Sequence, residues 1–289
     1  MTRPSRLLAK YLAMVLALLV VAAPSLGTDS PFDLIAQADL AYTTRYLPES
    51  MTEAIALYEA VVPDLAMLSD RSQAYVLNRL SQLCYEAALF TDGETPEDEE
   101  LYIKGKEYGF QSLRLNPEFA AHEPAGFNEA LSYVTDPAAL HWTANNWGML
   151  CGMMNPIKAF LEQDSVLALF SRCVEVEPSF WGASSASALG SLLIMSPGAL
   201  GGDKDAGLAL VEQSIVTAPS YLNNRIILAE YWGFTYNFFG KVDGVRDAEL
   251  IERETAFILE AEIGDWPFWN RQAKSGAERL LARLQDMTD

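Results

Sequence analysis

Three times along this chain an apolar-periodic stretch stops at a proline that is followed two residues later by an aromatic: Pro117-Glu118-Phe119, Pro178-Ser179-Phe180 and Pro219-Ser220-Tyr221. Proline halts a helix because it has no amide proton and its ring clashes with the preceding turn. Five residues before each proline stands a small residue, Ser112, Cys173 or Ser214, and four before it an apolar one, Leu113, Val174 or Ile215. Eight before it, the second and third copies carry Phe170 and Val211, and the first carries Gly109. Small residues at a fixed place before a helix stop let neighbouring helices approach closely. The recurrence therefore restricts the chain to stacked, closely packed helices.

This unit resembles the second half of a tetratricopeptide repeat, whose regular period is about 34 residues. The prolines here are 61 and 41 residues apart, so helices are inserted or lengthened. Glu53 to Pro63 reads as a degraded fourth copy. The other signals are also helical. Ser50-Met51-Thr52-Glu53 has the form of a capping box. Asp136-Pro137 is an N-cap with proline at the first helical position. Asp203 opens a helix with Leu208, Val211, Ile215 and Ala218 on one face, and Ala273, Ala277, Leu280, Leu281 and Leu284 form a stripe near the end. Sustained two-residue alternation and Asn-Gly hairpin signals are missing. The expected fold is all-α: an irregular tetratricopeptide-like helix-pair array in a single domain, residues 28–289. Stacked helix pairs of this kind leave a concave face for binding.

Arg3, Arg6 and Lys10 precede an unbroken apolar run from Tyr11 to Ala23, then Ser25-Leu26-Gly27. A short apolar run with small residues after it has the form of a signal peptide. Residues 1–27 are expected to be that peptide, with retention as an anchor as the alternative, and the folded part is expected in the periplasm. The end of the run carries no cysteine, so a lipid anchor is not expected. The whole chain has 20 basic and 39 acidic residues, a charge of −19. Removing residues 1–27 leaves 17 basic residues and a charge of −22. Such acidity argues against nucleic-acid or anionic-membrane partners, which require basic patches. His122 and His141 are the two histidines, too few for a histidine-rich metal site. The acidic stretch from Thr91 to Glu100 lacks the ligand spacing of a calcium loop and reads as a solvated loop entering a helix. Cys84, Cys151 and Cys173 sit among apolar residues and read as buried small hydrophobes. No metal and no cofactor is expected.

His141-Trp142-Thr143-Ala144-Asn145-Asn146-Trp147-Gly148 resembles the tryptophan-bearing helix of the TatT-type T components of tripartite ATP-independent periplasmic (TRAP) transporters. Asp164 to Pro178 resembles the helix that follows it. Leu189-Gly190, Ser196-Pro197 and Gly201-Gly202-Asp203 resemble the family's most recognisable junction, and Trp269-Asn270-Arg271-Gln272-Ala273 through Leu281 its terminal helix. The resemblance spans roughly residues 100–285. It implies a periplasmic all-helical protein, a homotrimer with a hydrophobic channel in each subunit, that works with a periplasmic solute-binding protein delivering a small molecule to a permease. The family's best-known form is a lipoprotein, from which this sequence departs.

Motifs for serine hydrolysis, phosphate loops and zinc helices are missing, so no enzymatic activity is expected. Tyr231 to Phe239 carries six aromatics in nine residues, and Trp266, Phe268 and Trp269 form a second cluster. A helix with one buried face does not need rings all round it. Helical spacing puts Tyr231, Phe234 and Phe238 on one stripe and Trp232, Tyr236 and Phe239 on another. An apolar cavity is expected, lined by Trp142, Trp147, Trp181, Tyr231, Trp232, Tyr236 and Phe239, with Asn145, Asn146 and Thr235 as polar partners. Its ligand is expected to be a small hydrophobic molecule of apolar or mixed polarity, neutral or weakly acidic. The second reading is a general periplasmic scaffold that binds peptides or proteins in a polar groove.

Overall fold

A computed structural model describes residues 30–91, 95–154, 156–198, 201–237 and 240–289. The expected signal peptide, residues 1–27, and Phe239 lie outside the described residues. The chain runs through α1 (Pro31–Thr43), α2 (Pro48–Val61), α3 (Asp70–Ala88), α4 (Pro96–Leu113), two short helices α5 (Pro117–His122) and α6 (Phe127–Ala130), then α7 (Pro137–Met153), α8 (Pro156–Val176), α9 (Phe180–Met195) and α10 (Lys204–Thr217). A short α11 (Asn223–Ile227) leads into a π-helical turn (Leu228–Trp232) and a two-stranded hairpin, β1 (Phe234–Tyr236) and β2 (Val242–Val245). Helices α12 (Ala248–Glu260) and α13 (Pro267–Thr288) finish the chain.

Helix starts follow local chemistry. Asp136 Oδ1 accepts from the amides of Ala138 (2.9 Å) and Ala139 (3.3 Å), and Asp203 Oδ1 accepts from Ala206 (3.0 Å). Thr95 and Asp98 form a reciprocal capping box at the head of α4, so the acidic stretch enters a helix as expected. Asp98, held by Thr91 and Thr95, has its carboxyl below the usual range. The box expected at Ser50–Glu53 does not form. Helix α2 starts earlier, with Pro48 at its first position, because proline's fixed φ suits that place, and Ser50 instead receives the Thr44 hydroxyl (3.0 Å).

The packing order is that of a helical array. Each long helix packs on the next: α1 on α2, α3 on α4, α4 on α7, α7 on α8, α8 on α9 and α9 on α10. Helix α7 also touches α3 and α9, and α9 touches α11. An inner row of α3, α7, α9 and α11 is thus backed by α4, α8 and α10. Ser112, Cys173 and Ser214, the small residues five before each proline, are buried. Phe119 and Tyr221, two after the first and third prolines, are buried as well. At the α9–α10 crossing two glycines face each other. A Cβ on Gly190 would lie 2.5 Å from the Gly207 carbonyl, and one on Gly207 would lie 2.6 Å from the Gly190 carbonyl. No other residue permits that approach.

Helix α13 reaches back to the start of the array. Phe268 meets Phe90 edge-on at 5.7 Å, the Arg271 guanidinium lies 4.9 Å from the Tyr46 ring, and Trp269 stacks on Tyr85 at 6.1 Å. The tie between them is a fully buried carboxylate. Glu86 accepts from Arg45 Nε (2.6 Å), Gln82 Nε2 (2.8 Å) and Trp269 Nε1 (2.9 Å), the last across 183 positions of sequence.

Among the described residues the fold is all-α apart from the hairpin, which corrects the helical reading of Tyr231–Phe239 over Phe234 to Tyr236. The helix ends at Trp232, and Phe234 and Thr235 pair with Val245 and Gly244. A side chain at Gly233 would run into the Ala229 carbonyl and the Ile251 side chain. The aromatic residues that follow suit a pleated surface.

Candidate functional site

The inner row and α13 enclose a cleft of about 760 Å³. Helix α7 contributes His141, Asn145, Gly148, Met149 and Gly152, and α9 contributes Ser184, Ser187, Ser191 and Leu192. Tyr85 of α3, Tyr221 and Asn223 at the start of α11, Tyr231 of the π-helical turn and Trp269 of α13 supply rings and an amide. Glu99 and Lys241 are the charged residues among its lining.

The backbone that places the α9 serines is unusual. Trp181, Gly182 and Ala183 have φ of +49°, +66° and +57°, one left-handed turn before the right-handed helix resumes at Ser184. Left-handed geometry costs a side-chain-bearing residue about 1–2 kcal/mol, so neighbours must hold it. Asn224 Nδ2 donates to the Gly182 carbonyl (2.8 Å) and to Ser214 O (3.2 Å). The Tyr221 side chain abuts Gly182, where a Cβ would sit 2.7 Å from its Cγ. The Trp181 ring meets Trp142 at 5.1 Å and Trp266 at 5.5 Å, both edge-on. Strain of this kind is characteristically stored beside functional sites.

Proton positions in the cleft floor follow from the partners. Asn145 Nδ2 lies 2.8 Å from the His141 carbonyl and 3.1 Å from His141 Nε2. An amide oxygen would be repelled by that carbonyl, so the nitrogen faces it. The amide nitrogen is a donor only, which makes Nε2 the acceptor and places the ring proton on Nδ1, 2.7 Å from Ser185 Oγ. Ser184 Oγ also approaches Nε2, at 3.2 Å. Burial pushes the His141 pKa down to about 3, so the ring is neutral. Ser187 donates to Asn224 Oδ1 (2.9 Å) and to the Ser184 carbonyl (3.0 Å), and Ser191 donates to the Ala188 carbonyl (2.8 Å). Burial raises the Tyr85 phenol to about 12, and it also raises those of Tyr221 and Tyr231 well above their ordinary value. Among the described residues floor and walls are therefore uncharged, and the charged lining residues are Glu99 and Lys241.

Of the seven aromatics expected to line one cavity, the structure places Tyr231 in the cleft. Trp142 is 2% exposed and packs with Tyr85, Trp181 and Trp269 in the main core beneath it. Trp147 belongs to another cluster, with Phe110 and Phe127. Its indole donates to Glu162 (2.6 Å), and Lys106 lies 3.9 Å from its ring. Lys106 and Glu162 line a separate groove of about 590 Å³ over α4, α7 and α8. Trp181 is spent on the left-handed turn. Trp232 lies under the Arg246 guanidinium (4.5 Å), and Tyr236 stacks on Tyr231 (5.8 Å). Asn145 lines the cleft, whereas Asn146 is buried on Ser81 and Trp142 backbone, and Thr235 bonds Asp243 in the hairpin. Sequence reasoning missed Tyr85, Tyr221, Trp269 and the serines. The serines had a readable signal: 184, 187 and 191 are spaced as one helical face.

The three cysteines are free, Cys84 and Cys173 buried and Cys151 half-buried. Burial raises their thiols to about 12, 12 and 11 respectively. Among the described residues no group of histidine, cysteine and carboxylate side chains is placed to hold a metal, and no helix is long and apolar enough to cross a membrane. Chemically, the cleft can hold a small molecule between rings and neutral hydrogen-bonding groups. The chain matches no protein-family model and no curated protein.

Proposed function

We propose that this protein is a periplasmic accessory component of a TRAP-type transporter, one that holds a small ligand of mixed polarity in the inner cleft and docks the solute-binding subunit. The observation that carries the reading is the cleft itself. Its volume of about 760 Å³ falls within the range of small-molecule sites, and its ring walls and few convergent polar groups match their composition. The resemblance of the α7, α9–α10 and α13 sequences to the TatT-type family supplies the transporter context, the periplasmic location and the trimer. The alternative, a scaffold for peptides or proteins, calls for a long open groove. Helix α13 spans the inner face from α11 to Glu86 and Phe90, which favours a compact ligand. No catalytic role is part of this reading.

The test is a pull-down from periplasmic extract with the chain from residue 28. Recovery of a solute-binding protein encoded beside a permease supports the transporter reading. Recovery of many unrelated unfolded chains, competed by denatured protein, favours the scaffold.

A further inference from the structure

The chemistry of the cleft restricts its ligand further. The serine protons are committed to protein acceptors: Ser187 to Asn224 and Ser184 O, Ser191 to Ala188 O. Both Asn145 amide protons point at His141. What these groups leave for a ligand is oxygen lone pairs, which accept from N–H and O–H donors. The same lining includes Tyr85, Tyr221, Tyr231 and Trp269, and electron-rich rings attract cations. The neutral His141 adds no positive charge to the floor. A chain with 39 acidic and 20 basic residues concentrates cations near its surface. Among the described residues Lys241 is the one basic side chain in the lining apart from the neutral His141, and Glu99 lines the cleft with it.

We propose that the cleft binds a small organic ammonium compound, its cationic head against the tyrosine and tryptophan rings and its donors on Asn145, Ser187 and Ser191. The proposal rests on the cleft being the ligand site. It narrows the ligand from any molecule of mixed polarity to one carrying a positively charged nitrogen.

The test is isothermal titration of the chain from residue 28 with four probes of similar size. These are choline, n-butylammonium, the uncharged analogue of choline in which carbon replaces nitrogen, and tert-butylacetate. The proposal expects one or both ammonium probes to bind at least about tenfold more tightly than the neutral analogue, and the carboxylate to bind least. Tyr231→Phe, which keeps the ring, should retain the preference. Tyr231→Leu should lose it while melting within a few degrees of wild type, and Lys241→Gln should tighten cation binding. Neutral or carboxylate binding equal to or tighter than that of the ammonium probes overturns the ammonium assignment and leaves the cleft as a ligand site. Binding by none of the four overturns both. A cation preference that survives in Tyr231→Leu and is unchanged in Lys241→Gln places the cation elsewhere and also overturns the proposal.

Discussion

Replacing Glu86 tests whether the array is closed by its last helix. Its carboxylate is 0% exposed and takes N–H bonds from α3, from Arg45 beyond α1 and from Trp269 in α13. Arg45 is itself 8% exposed, so Glu86→Ala strands a guanidinium in the interior. Breaking a buried pair by removing one partner costs about 3–5 kcal/mol. A domain is stable by only about 5–15 kcal/mol in total, and at this chain length each kcal/mol lowers Tm by roughly 2–4 °C. The expected drop is therefore about 6–20 °C, read by circular dichroism. Arg45→Met with Glu86→Leu removes both charges and should recover most of that loss, since apolar replacements of buried pairs are often neutral or better. Amide hydrogen exchange should show α13 losing protection first in Glu86→Ala, while α8 and α10 keep theirs. A Tm drop under about 2 °C, or uniform loss of protection, would refute the assignment of Glu86 as the tie.

Trp142→Ala should cost about 3–5 kcal/mol, the range for a buried aromatic, measured by urea unfolding; a loss below about 1 kcal/mol would contradict its place in the core. His141 titrates near 3 in the folded chain and near 6.5 unfolded, so the unfolded state binds the extra proton between those values. Stability is then full above pH 6.5 and falls by about 1.4 kcal/mol per unit as pH drops toward 3. Urea unfolding at pH 6.5 and pH 5 should show a loss about 1.6 kcal/mol larger in wild type than in His141→Gln, and equal losses would sink the assignment. Gly190→Ala puts a methyl group against the Gly207 carbonyl and should destabilise by about 1–3 kcal/mol, whereas Gly148→Ala, where the nearest atom is 3.5 Å away, should be neutral or stabilising by up to about 1 kcal/mol. Equal melting of the two variants would remove the close-approach argument.

The array was legible because its signals are local. A proline that stops a helix, an aspartate that caps one and a small residue five before the stop each act within a turn or two, and Asp136, Asp203, Ser112 and Ser214 behave as read. The hairpin was not legible, since six aromatics in nine residues fit a buried helix and a short strand pair equally well. The site was partly hidden for a different reason. Large rings in a sequence suggest a cavity, but Trp142 and Trp181 fill the core and brace the left-handed turn, and Trp147 serves another cluster. Which rings face open space depends on where α13 crosses, and that is fixed by a contact 183 positions apart. Three serines on one helix face were the better local clue, because polar side chains on the inner side of an apolar helix require partners or a ligand.

The claim that the inner cleft is a ligand site meets its most direct test at Gly152. This residue lines the cleft, and a Cβ there would have no neighbour within 4 Å. Gly152→Trp therefore adds an indole at the cleft lining without a clash at its Cβ. Wild-type and variant protein, purified gently from periplasm, would be compared by native mass spectrometry. The wild type should carry a non-covalent small-molecule adduct that the variant lacks, at matching Tm. An adduct retained by Gly152→Trp, or a wild type with none, would contradict the account.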